Sequence, residues 1–274
     1  FPSVAVIVAE SNKVTIYDGD TPDLDMWMVF TWVTGYNLLG YGNRISSRIS
    51  MLNGLLCKGS TPDGVYYADF IKDVGGRYTP SGNFRTSPRI SLRTGLPVFQ
   101  NIDSSTPLIN GDVNDVAMTV LPNAPIDSTT GLPIPTIAVA TEGGVSVVKD
   151  DGSVATANRA LQCSNVTFSP DSSALISAWD DYRGCDRNTD YLTNGFNHGS
   201  SGGYEYFAGT TPSLLGVSIS STDVGTQSTQ GRDSIAFGYD LGLTLLHENP
   251  TTPSEGSVAY LTSDYNSGYM TGDI

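Results

Sequence analysis

One short unit recurs along the chain and limits what it can become. An apolar strand runs into a tight turn bearing Gly or Asn, and a second apolar strand follows. The unit reads VAVIVAESNKVTIYDGD at 4–20, GLLCKGSTPDGVYYADF at 54–70 and TIAVATEGGVSVVKDDGS at 136–153. It returns as SALISAWDDYRGCDRNTDYLTNG at 173–195, with a longer polar tip, and as SIAFGYDLGLTLLHENP at 234–250. Apolar positions alternate, or nearly so, over five to seven residues, the period-2 mark of a strand. Glu142-Gly143-Gly144 and Asp151-Gly152 supply the positive-φ positions that two-residue hairpin turns need.

Further strands flank these hairpins. Arg48–Leu52 precedes the second unit and Asp115–Val120 the third, while Val166–Phe168 and Leu215–Ile219 serve the later ones. Met26–Val33 and Val258–Leu261 follow the first and last. Up to four strands per repeat is the grammar of a β-propeller blade. The expectation is an all-β, propeller-like domain over 1–274 with about five blades, six blades or a β-sandwich being the alternatives. The first repeat starts on its second strand, so the chain reads as a fragment of something longer, and the segment after Gly256 is expected to edge the first sheet. Two long insertions, about 88–114 and 194–211, break the rhythm. Loops of that length tend to carry function.

Composition narrows the partners. Fourteen Lys plus Arg face 28 Asp plus Glu, giving a net charge of −14. Nucleic-acid and anionic-membrane binding both depend on cationic contacts, so neither partner is expected. Membrane insertion is not expected either, because the densest apolar run, MWMVFTWV at 26–33, falls far short of about 20 residues.

Motifs for chemistry are sparse. His198 and His247 are the two histidines, and neither a nucleophile elbow nor zinc-ligand spacing accompanies them. No catalytic residue and no cofactor is expected. Asp18, Asp20, Asp23 and Asp25 put four carboxylates within eight residues, a weak calcium candidate set against a solvated acidic turn. Ser169-Pro170-Asp171-Ser172-Ser173 nearly meets a sialidase-type aspartate box, but Ser173 replaces the glycine. Cys163 and Cys185 would close a loop of roughly 20 residues, worth about 3 kcal/mol; three unpaired thiols, with Cys57 in a buried strand, is the alternative. His198, Tyr204, Tyr206 and Phe207 gather in the second insertion as a candidate contact surface, since Tyr offers a flat apolar face with a polar tip.

Three stretches also carry a resemblance. NDVAMTVLPNAPIDSTTGLPIPTIAVATEGGVSVVKDDGSV (114–154), AVIVAESNKVTIYDGDTPDLDMWMVF (5–30) and SVAYLTSDYNSGYMTGDI (257–274) resemble segments of predicted tail and tail-fibre proteins of marine bacteriophages, of the podovirus type that infects cyanobacteria. The resemblance implies an extracellular virion protein that builds the tail or attaches it to a host. Its partners would be other tail subunits, with homo-oligomers expected, and a host-surface glycan or protein. A glycan-degrading depolymerase and a secreted lectin-like propeller are the alternatives.

Overall fold

A computed structural model describes the backbone of residues 1–32, 36–42, 45–87, 89–90, 98–157, 161–169, 171–179, 184–196, 204–205, 225–228, 234–239, 242–247 and 257–261. All regular elements described, apart from turns, are antiparallel strands. The first sheet holds β1 (Ala5–Ala9), β2 (Lys13–Asp18) and β3 (Met26–Thr31) in that order. A two-stranded hairpin, β4 (Tyr36–Asn37) with β5 (Gly40–Tyr41), follows it. The second sheet runs β6 (Ile45–Leu52), β7 (Leu55–Thr61), β8 (Gly64–Asp69), β9 (Val74–Thr79), β10 (Gly82–Ser87) and β11 (Val98–Asp103).

The remaining three sheets have four strands each, in chain order. The third is β12 (Val113–Thr119), β13 (Thr136–Thr141), β14 (Gly144–Val148) and β15 (Val154–Ala157). The fourth is β16 (Cys163–Phe168), β17 (Leu175–Trp179), β18 (Gly184–Asn188) and β19 (Tyr204–Glu205). The fifth is β20 (Gly225–Ser228), β21 (Ser234–Tyr239), β22 (Gly242–His247) and β23 (Ser257–Leu261). Each recurring sequence unit forms one hairpin: β1–β2, β7–β8, β13–β14, β17–β18 and β21–β22.

The sheets follow one another as propeller-like layers. The leading strands β6, β12, β16 and β20 touch in succession, and β1 stands beside β6. Side chains on the two faces of one sheet therefore enter two different cores. In β13, Ile137 and Val139 join Cys57, Val65 and Tyr67 of the second sheet. Ala138 and Ala140 join Val166, Phe168 and Trp179 of the fourth. Between the first two sheets lie Val14, Ile16, Phe30 and Trp32 against Leu56, Tyr66 and Ala68, with Leu38 and Leu39 of the small hairpin filling the gap. A side chain at Gly40 would meet the Trp32 ring at 2.5 Å, so only glycine lets that hairpin lie flat on the indole.

Three local expectations change. The 88–114 stretch contains strand β11, which pairs with β10 and widens the second sheet. Its alternation is poor (VFQNID), which hid it; residues 91–97 lie outside the described residues. The described leading strand of the fifth sheet is Gly225–Ser228; Leu215–Ile219 lies outside the described residues. Ser257–Leu261 pairs with β22 inside the fifth sheet, and 262–274, the rest of the segment expected to edge the first sheet, lies outside the described residues.

Candidate functional site

Three of the leading strands, β6, β12 and β16, share an irregularity that re-aims their side chains. Each has one residue more than its neighbour: β6 between Ser46 and Ile49, β12 between Val113 and Asp115, β16 between Cys163 and Asn165. Such bulges kink a strand and turn side chains out of the pleat. Two of the extra residues reach the next leading strand. Arg48 Nε lies 3.9 Å from Asp115 Oδ1, and Asn114 Nδ2 donates to the Cys163 carbonyl at 2.9 Å. Asp115 is buried and accepts from the Val116 and Val166 amides at 2.9 and 3.1 Å and from Asn165 Nδ2 at 3.5 Å. Burial pushes its carboxyl above the usual range; those amides and Arg48 pull it back. This polar seam joins three blades. Its hydrogen bonds are made within the protein, so it reads as architecture.

The surface of the first sheet is different. Val4, Val6 and Val8 are 58%, 40% and 39% exposed, and Met26 and Trp27 of β3 are 61% and 37% exposed. Phe1 packs edge-on to Trp27 at 4.9 Å and to Phe70 at 5.0 Å. The cause lies in β1, where both faces are apolar. Ala5, Ile7 and Ala9 enter the first core, and the alternate valines are left outside. Exposed apolar strips with an aromatic centre are the surfaces that proteins use to bind. Both-face apolarity in FPSVAVIVA is the signal that would have found this strip from the sequence.

The sequence-derived candidates fare unevenly. Asp18, Asp20, Asp23 and Asp25 do not converge, and among the described residues no three His, Cys, Asp or Glu side chains gather as a metal site. Asp20 instead accepts from the Ser3 amide and hydroxyl at 2.8 and 2.6 Å and from the Val4 amide at 3.2 Å, which holds its carboxyl below the usual range. Asp18 Oδ1 accepts from the Asp20 amide at 2.9 Å. The acidic turn anchors the start of the chain.

Cys163 and Cys185 stand on β16 and β18 with β17 between them. Two strand spacings, about 9.6 Å, exceed the roughly 7 Å that a disulfide can span between Cα atoms. The expected bridge is therefore withdrawn; the Cys163 thiol donates to the Asn165 carbonyl at 3.3 Å. Cys57 is fully buried, as its strand position implied. The near-aspartate box is a turn clamp: Ser169 Oγ donates to Asp171 Oδ1 at 2.7 Å and accepts from the Ala174 amide at 2.9 Å. Of the proposed contact cluster, His198, Tyr206 and Phe207 lie outside the described residues, and Tyr204 is described only as backbone in β19. His247 ends β22 and is exposed.

No protein-family model and no curated protein matches the chain. Among solved structures it is similar to a putative 6-phosphogluconolactonase from Bacteroides uniformis, at 13% identity and TM-score 0.43 over 94% of this chain and 70% of that one. It is also similar to the Cps50 (Swd1) β-propeller domain of Myceliophteria thermophila, at 8% identity and TM-score 0.44 over 94% and 88%. A functionally unknown protein from Desulfotomaculum acetoxidans matches at 10% identity and TM-score 0.45 over 95% and 79%. Likenesses at this level transfer no activity and no residue roles.

Proposed function

We propose that the chain is a structural and attachment domain of a bacteriophage tail or tail fibre, exposed on the virion and working by binding rather than by turnover. The observation that carries this reading is the set of exposed apolar side chains on the first sheet, Val6, Val8 and Met26, with Trp27 packed on Phe1 at the sheet's margin. All but Phe1 lie inside the 5–30 stretch that resembles marine phage tail proteins. Aromatic anchors framed by aliphatic side chains are the usual centre of a protein–protein contact. The strip is assigned to contacts with other tail subunits, including further copies of this chain. Stacked blades hold such a surface rigidly, and repetition around a tail turns weak contacts into avid ones. The second insertion, 194–211, is assigned to the host-surface glycan or protein.

Immunolabelling decides it. Antibody raised against residues 1–274 is expected to decorate the tail of purified virions in negative-stain images. Virions from a phage encoding this chain that carry no label on the tail would overturn the reading. Host polysaccharide incubated with the protein is expected to be bound without release of reducing ends; their release would establish a depolymerase instead.

A further inference from the structure

Three side-chain atoms between the first two sheets are buried without a hydrogen-bond partner: Lys58 Nζ, Ser60 Oγ and Trp32 Nε1. Their residues are 0%, 0% and 2% exposed. They sit together. Lys58 and Ser60 alternate along β7 and so share the face turned to the first sheet. The Lys58 ammonium lies 4.5 Å from the centre of the Trp32 ring and 5.6 Å from that of Tyr66. On β8, Tyr66 is the cross-strand partner of Lys58 and Gly64 that of Ser60, so β8 sets no side chain directly beside the serine.

The chemistry of the set is one-sided. An ammonium carries three donors, an indole N–H is a donor only, and the serine hydroxyl can give a proton as well. Ring faces attract the cation but accept no ordinary hydrogen bond from it. A buried ammonium with no hydrogen-bond acceptor is strongly disfavoured. The other buried tryptophan shows how the protein otherwise resolves this: Trp179 Nε1 donates to Ser177 Oγ at 2.8 Å.

We propose that Lys58 Nζ, Trp32 Nε1 and Ser60 Oγ form an interior seat for one small monovalent anion of halide size. The charge fits, because the Asp63 carboxylate attracts the ammonium but gives it no hydrogen bond, and an anion in contact would. Leu38, Leu39 and Leu56, at exposures of 1%, 0% and 0%, seal the layer from solvent, so a small anion that sheds its water readily is assigned. Bound between two sheets, the ion ties the first sheet to the second.

Bromide tests the seat directly. Crystals grown in sodium bromide are expected to show one anomalous peak in contact with Lys58 Nζ. Water alone at that position, or no density, would overturn the proposal. In solution, thermal unfolding at fixed pH and ionic strength should shift upward in bromide relative to gluconate, and saturably. Trp32→Phe keeps the ring and removes the N–H, and Ser60→Ala removes the hydroxyl. Each should weaken the bromide effect about tenfold, the worth of one hydrogen bond to a charged group. Lys58→Met should abolish it. An equal bromide shift in W32F and S60A would overturn the proposal even if K58M fails to fold.

Discussion

Two layers of the molecule are built from the same hairpin unit and solve packing in opposite ways. Between the third and fourth sheets, small residues line one side: Ala138, Ala140, Ala155 and Ala157 face Phe168, Trp179 and Tyr191. The polar atoms of two of these rings are answered. Trp179 donates to Ser177, and Tyr191 Oη donates to the Ser172 carbonyl at 2.6 Å. Between the first and second sheets the side chains are larger, and a lysine is enclosed among Trp32, Tyr66 and Leu56 with no partner atom. The first solution gives close apposition; the second keeps a charge inside at a cost. A repeat that fixes strands and turns leaves the chemistry of the interlayer space free to vary.

The comparison can be broken most severely at the tight layer. Ala138→Leu adds three carbons where Ala117 and Val147 flank it across the sheet, and overpacking should destabilise by about 3 kcal/mol. Urea unfolding followed by circular dichroism measures the loss; a change below about 0.5 kcal/mol would mean the layer has slack.

The loose layer should respond with the opposite sign. Burial lowers the Lys58 pKa to about 8 from 10.5. The unfolded chain then binds more protons than the folded one between those values, so stability rises with pH from about 8 to 10.5. In halide-free buffer at pH 7, Lys58→Met should stabilise by at most about 3 kcal/mol, fading to nothing above pH 10.5. A gain independent of pH would show that packing, not charge, is the cause.

The polar seam should give a middle-sized effect. Asp115→Ala strips the acceptor from the Val166 amide and Asn165, costing about 2 kcal/mol. Asp115 has a raised pKa, so it holds its proton more tightly when folded. Its contribution is fully present below pH 3.8 and declines as pH climbs through the raised value. Asp115→Asn, which does not titrate, should remove that slope in matched pH titrations of stability.

At the surface, Met26→Ser with Val6→Ser should leave stability within about 0.5 kcal/mol while abolishing self-association in sedimentation velocity. Association that survives the double change would move the contact surface elsewhere.

Hairpins were legible in the sequence because their signals are local: Glu142-Gly143 closes β13 onto β14 with Thr141 opposite Gly144, as the turn chemistry required. The leading strands before the second, third and fourth hairpins were legible for the same reason. Strand β11 was not, because polar Gln100 and Asn101 interrupt its alternation at the outer rim. The site residues were harder still. Nothing in GLLCKGS distinguishes a lysine reaching water from one sealed under a tryptophan contributed by a different sheet. The acidic turn at 18–25 looked like a cation loop because sequence counts carboxylates and cannot see that Ser3 occupies one of them.

The recurrent bulge has a consequence for how such a protein can change. The spare residues of β6 and β12 that reach the next blade, Arg48 and Asn114, belong to neither flanking core and can be exchanged without altering what the blades bury. Blade-to-blade coupling is thereby placed at positions where mutation is cheap for the fold. Neighbouring blades can drift in sequence and still be re-fastened one residue at a time.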